Sequence, residues 1–139
     1  MIDIHSHILP GVDDGPELMS ESIEMAKLAA SRGTTEIVAT PHFADGYPFN
    51  RELIYSTLSA LRDELKSNNI ELTVHYGLEV QLTTNLFKAL EEIDKKDLTV
   101  ANNNKYMLVE LPFYDMPESI DELIESIIKR DPIPIIVHP

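Results

Sequence analysis

The chain has no cysteine and no tryptophan, and only 11 of its 139 residues are lysine or arginine. Without thiols there can be no disulfide, no thiolate metal site and no cysteinyl-phosphate intermediate. Set against 24 acidic side chains, the few cations leave a formal net charge of -13. Such a surface repels phosphate backbones and anionic lipid, so neither nucleic-acid binding nor membrane insertion is expected. No apolar run approaches the roughly 20 residues that span a bilayer. The opening MIDIHSHI lacks the basic flank and long apolar stretch of a secretory signal. The cytoplasm is the expected compartment, and an oligomer is compatible with all of this.

What is present is enough apolar material for a core: 43% of the residues are hydrophobic, well above disordered chains. The 139 residues suit one domain but fall short of the roughly 250 typical of a closed (β/α) barrel. Strand-like and helical runs alternate. Ile2 to His5 reads as a first strand, TEIVATPH as a second, LTVHYGLEV as a third, YMLVELP as a fourth and PIPIIVHP as a fifth. Between them, PELMSESIEMAKLAASRG carries Ile23, Ala26 and Ala30 at helical spacing, with Gly33 as a stop. RELIYSTLSALRDELKSNN places Ile54, Leu58, Leu61 and Leu65 on one face. A short helical piece follows around Asn85 to Ile93, and ESIDELIESIIKR forms a last helix. Alternation of this kind predicts an α/β fold with parallel strands and helical crossovers. The last strand has no helix behind it, so residues 1–139 are expected to be one domain truncated on its C-terminal side.

The chemistry lies at the strand ends. Each apolar run finishes in a ligand type: His5 and His7, then His42, Glu79, Glu110 and His138. In parallel βα architectures the C-terminal strand ends are where sites are built, so these residues are expected to converge on divalent cations. His5-Ser6-His7 supplies two imidazoles on one side of an extended chain, because side chains alternate with period two. Glu79 and Glu110 end otherwise apolar strands, where a lone carboxylate is costly to bury and a cation removes the cost. Asp13 and Asp14 precede Gly15 in the first loop, a position that also suits turn chemistry. His75, inside the third strand, is expected to be a hydrogen-bonded histidine rather than a ligand. Phe43, Tyr47, Phe113 and Tyr114 follow strands two and four, as an aromatic wall for a planar substrate group or as loop packing.

The strings MIDIHSHILPGVDDGP, IVATPHF, YGLEV, LVELPF and PIIVHP together resemble the PHP-domain (polymerase and histidinol phosphatase type) bacterial protein-tyrosine phosphatases of capsular and exopolysaccharide biosynthesis. The resemblance runs from Met1 to Pro139 but covers only the N-terminal part of that family's length. It implies a partial (β/α) barrel of the PHP type, about five strands of a distorted seven-stranded whole. It also implies up to three divalent ions, manganese first, with iron and zinc as alternatives. Carried over by position, His5 and His7 would hold the first ion, with Glu79 bridging to the second. Glu110 and His138 would complete the second ion's ligands, and Asp14 and His42 would serve the third. The family's later ligands have no counterpart within these residues.

The expected activity is therefore metal-dependent hydrolysis of phosphotyrosine on a kinase that regulates polysaccharide export. Asp13 and Asp14 are the candidate catalytic acids. Two other readings fit the residues: a small-molecule phosphatase of the histidinol-phosphate kind, and a metal- or partner-binding fragment without turnover.

Overall fold

The computed structural model describes residues 1–83, 86–112 and 116–137. His138, Phe113 and Tyr114, singled out above, lie outside the described residues. The described chain divides into two compact units, the first Met1–Pro41 with Asn50–Tyr76, the second His42–Phe49 with Gly77–Pro139.

The first unit is a three-stranded sheet with two helices. Strands β1 (Ile2–Ser6), β2 (Glu36–Ala39) and β4 (Thr73–Tyr76) lie in the order β1-β2-β4, all parallel. Helix α1 (Met19–Ser31) is started by Glu21, whose carboxylate accepts the backbone N–H groups of Glu17 and Leu18 at 2.9 and 3.0 Å. This meets donors that the first helical turn cannot use. It ends at Gly33, whose φ of 87° favours a residue without a Cβ. Helix α2 (Arg51–Ser67) begins at Asn50, whose side-chain oxygen accepts the Leu53 N–H at 3.1 Å. As the four-three-four spacing predicted, α2 buries Ile54, Leu58, Leu61 and Leu65. Arg62 ties the helix to β4 by donating from Nε and Nη2 to the carbonyl of Val74 at 2.8 and 2.6 Å.

The second unit is a four-stranded parallel sheet in the order β3-β5-β6-β7, comprising β3 (His42–Phe43), β5 (Glu79–Gln81), β6 (Tyr106–Glu110) and β7 (Ile133–Ile136). Val80, Met107, Leu108 and Val109 on the strands are buried, as are Leu86 and Leu90 on α3 (Leu86–Glu92) and Leu123 and Ile127 on α4 (Ile120–Lys129). No helix among the described residues is long and apolar enough to cross a membrane.

The strand count differs from the expected five. The second expected strand is divided into β2 and β3 around Thr40-Pro41, and the third into β4 and β5 around Gly77-Leu78. Proline has no N–H to give a sheet ladder, and an interior glycine weakens a strand. Both breaks coincide with the passage of the chain from one unit to the other. Thr40, Pro41, Gly77 and Leu78 are all buried and no polar turn marks either break, so the residues alone read each pair as one strand.

Leu61 shows no exposure, whereas Leu53 on the same helix is 40% exposed. Substitution of Leu61 by alanine should therefore lower unfolding stability by about 2–5 kcal/mol, and Leu53→Ala by about 0.5 kcal/mol or less. Urea denaturation of the two variants checks this; equal losses would contradict the assignment of the buried face.

Candidate metal centre

In the first unit the end of β1 brings two imidazoles together edge to face. His5 Nε2 and His7 Nε2 lie 3.4 Å apart, with ring centroids separated by 5.3 Å and planes inclined by 66°. The chain is held here by Ser6, whose N–H donates to Thr40 Oγ1 at 3.0 Å, next to an irregularity in the β1–β2 register between Asp3 and Ser6. The loop after β1 then turns its two acids in different directions. Asp13 has a fully buried side chain, with Oδ2 2.6 Å from His7 Nδ1 and Oδ1 accepting the Gly15 N–H at 3.0 Å. The side chain of Asp14 is 60% exposed, its Oδ1 3.6 Å from the same His7 nitrogen.

In the second unit the ligand types sit on neighbouring strands in matching register. His42 pairs with Glu79, and Gln81 with Glu110. Paired residues of parallel strands present side chains to the same face, as do residues two apart on one strand. His42 Nδ1 consequently lies 3.2 Å from Glu79 Oε2 and 3.9 Å from Glu110 Oε2, with the Glu79 side chain wholly buried and that of Glu110 only 3% exposed. One ligand atom from each of the three residues falls within a 4.8 Å cluster. The ring of Tyr47 stacks on His42, centroids 5.5 Å apart and planes within 17°. Gln81 Nε2 donates to Glu110 Oε2 at 3.0 Å. Gln81 also lines a cavity of about 180 Å³ together with Phe43, Asp45, Pro48 and Leu86.

Both groups fit a divalent cation by their donor chemistry. Two nitrogens bound at about 2.0–2.1 Å to one tetrahedral ion are roughly 3.4 Å apart, the separation seen for His5 and His7. In the second group two carboxylates and an imidazole, all oxygen and nitrogen donors, are gathered out of water. Like charges buried side by side are costly unless a cation offsets them.

The remaining sequence expectations sort cleanly. His75 Nε2 lies 2.7 Å from Glu36 Oε2 on the adjacent strand, so it is a hydrogen-bonded strand-surface histidine. Phe43 packs edge-on against Phe49, centroids 6.2 Å apart, and Tyr47 supports His42 rather than standing alone. Gln81 was missed. Its signal was its place two residues after Glu79, on the same strand face.

A family model for capsular polysaccharide synthesis, CpsB/CapC, matches residues 1–139. The tyrosine-protein phosphatase YwqE of Bacillus subtilis is 35% identical over 140 residues, covering all of this chain and 54% of that protein. The tyrosine-protein phosphatase CpsB of Streptococcus pneumoniae is 32% identical over 139 residues, covering 99% of this chain and 56% of that one. The chain thus spans about half the length of the curated relatives it matches. Among solved structures it is similar to a chain from the crystal structures of YwqE from Bacillus subtilis and CpsB from Streptococcus pneumoniae, described as metal-dependent tyrosine phosphatases. That similarity has a TM-score of 0.86 and 33% identity, over all of this chain and 56% of the other. The match bears out the α/β class with parallel strands, and its coverage accords with a partial version of the fold. By sequence and fold alike, the chain belongs to the CpsB/CapC family of capsular polysaccharide synthesis.

Proposed function

We propose that this chain carries metal ligands of a protein-tyrosine phosphatase, a metal-dependent phosphoric monoester hydrolase whose substrate is a phosphotyrosine-bearing kinase of polysaccharide export in the cytoplasm. The observation that carries the reading is the burial of Glu79 and Glu110 against His42, within 3.2 and 3.9 Å. Relatives named tyrosine-protein phosphatases support the choice of substrate.

In this reading His5 and His7 hold one divalent cation, and His42, Glu79 and Glu110 hold another, with manganese the first candidate. When bound, such cations supply Lewis acidity that neutralises phosphate oxygens and acidifies water. The protein's part is to keep the donors fixed and dry, which the burial of Glu79 and Glu110 accomplishes. Phe43, Pro48 and Leu86 wall the cavity beside Gln81 and offer an apolar surface to the tyrosyl ring. A phenolate leaving group, with a parent pKa of about 10, needs little protonation. Of the two candidate acids, Asp14 is the exposed one and is assigned to the substrate side, as acid or further ligand. His138 remains part of the proposed ligand set. With no cysteine in the chain, a covalent thiol route is closed to it.

Two measurements test this. Manganese titration followed by electron paramagnetic resonance should show binding by the parent chain, weakened at least about tenfold by Glu79→Gln, Glu110→Gln or His42→Ala, since each removes a ligand or its charge. Unchanged affinity in all three variants would refute the site. Phosphotyrosine peptide should be hydrolysed with manganese and not after chelation, and faster than histidinol phosphate. Equal or better turnover of the small ester would move the assignment to a small-molecule phosphatase.

Thermal unfolding gives a further check through opposite signs. Glu79→Gln removes one of two like charges buried within the 4.8 Å cluster, so the metal-free variant should melt at or above the parent's temperature. Manganese at 100 times its Kd should stabilise the parent by about 2.7 kcal/mol and the variant far less. A metal-free variant that melts well below the parent would contradict the charge argument.

A further inference from the structure

The buried carboxylate of Asp13 has no part in the chemistry just described, although sequence reasoning places it among the catalytic acids. Its side chain is wholly buried, and both oxygens are engaged: Oδ2 with His7 Nδ1 at 2.6 Å, Oδ1 with the Gly15 N–H at 3.0 Å. An ionised carboxylate only accepts hydrogen bonds. Beside an ionised Asp13 the facing His7 nitrogen carries the hydrogen, and in the neutral ring the lone pair then lies on Nε2. That Nε2 is the atom 3.4 Å from His5 Nε2. Gly15 makes the arrangement sterically allowed: a Cβ there would come within 2.4 Å of the His7 carbonyl oxygen and 3.1 Å of Asp13 Oδ1. The loop can close over His7 only with glycine at this place.

We infer that Asp13 is a positioning residue: it fixes His7 in the Nδ1–H tautomer, directs Nε2 to a cation shared with His5, and delivers no proton to the leaving group. The inference rests on the reading of His5 and His7 as metal ligands. A histidine that binds metal through one ring nitrogen commonly donates the other N–H to a carboxylate, which fixes ring orientation and raises ligand basicity. The exposed neighbour Asp14, 3.6 Å from the same ring nitrogen, is the acid left for the solvent side. Burial and full engagement separate two adjacent aspartates into different tasks.

The test uses the chain with nitrogen-15-labelled histidine, first without metal. Long-range nitrogen–proton spectra of the parent should show His7 as a single Nδ1–H tautomer; an Nε2–H tautomer would overturn the inference and needs no variant. Asp13→Asn offers one acceptor oxygen where two are used, so it should mix the His7 tautomers and weaken manganese binding about 10–100-fold. Gly15→Ala keeps the carboxylate but displaces the His7 backbone, and should weaken binding in the same direction. Manganese binding that Asp13→Asn leaves within twofold of the parent overturns this inference alone. A parent chain that binds no manganese overturns the metal reading as well. Across aryl phosphates of graded leaving-group acidity, Asp13→Asn should lower turnover by one common factor. A loss that grows as the leaving group becomes more basic would identify Asp13 as the proton donor and overturn the assignment.

Discussion

The burial of two carboxylates beside one imidazole is the constraint on which the account depends. Glu79 and Glu110 occupy neighbouring strands with almost no exposure, and His42 Nδ1 lies against both. One imidazole offers at most a single positive charge to two carboxylates, whereas a divalent cation opposes both charges and accepts oxygen and nitrogen donors. Nothing in the packing of an ordinary core requires this grouping. Val80 and Val109, the neighbours of Glu79 and Glu110 along their strands, are themselves fully buried and apolar, so the carboxylates stand out as expensive choices in a sheet that otherwise excludes charge.

The sheet makes that grouping cheap to hold in place. Parallel register sets His42 beside Glu79 and Gln81 beside Glu110, so four polar side chains share a face without any long side chain having to search for its partner. Gln81 donates to Glu110, and Tyr47 lies on the His42 ring. The first unit repeats the principle with different parts. Asp13 and Gly15 hold His7, and Thr40 holds the backbone between the two histidines. In each case a ligand type is fixed by a neighbour that is not itself expected to bind metal.

Much of this was legible in the residues. Apolar spacing placed α2 and its buried Ile54, Leu58, Leu61 and Leu65, because a helix that packs one face leaves a period of 3.6. The position of histidine and glutamate after apolar runs marked the end of β1, at His5 and His7, and the end of β6, at Glu110, whereas His42 and Glu79 open β3 and β5 rather than closing the strands before them. Other features were hidden for physical reasons. The breaks at Thr40-Pro41 and Gly77-Leu78 fall at buried residues with no polar turn to mark them, so a change of strand leaves little trace in the residues. The opposed fates of Asp13 and Asp14 depend on loop dihedrals and on contact with His7, which no spacing rule encodes. His75 found Glu36, 39 residues away in sequence, only through strand pairing.

The most direct measurement is anomalous X-ray diffraction at the manganese edge on crystals grown with that ion. The account predicts a peak within direct coordination distance of His42 Nδ1 and of carboxylate oxygens of both Glu79 and Glu110. Density showing the two carboxylates hydrogen-bonded to protein groups alone, with manganese bound elsewhere or not at all, would contradict it.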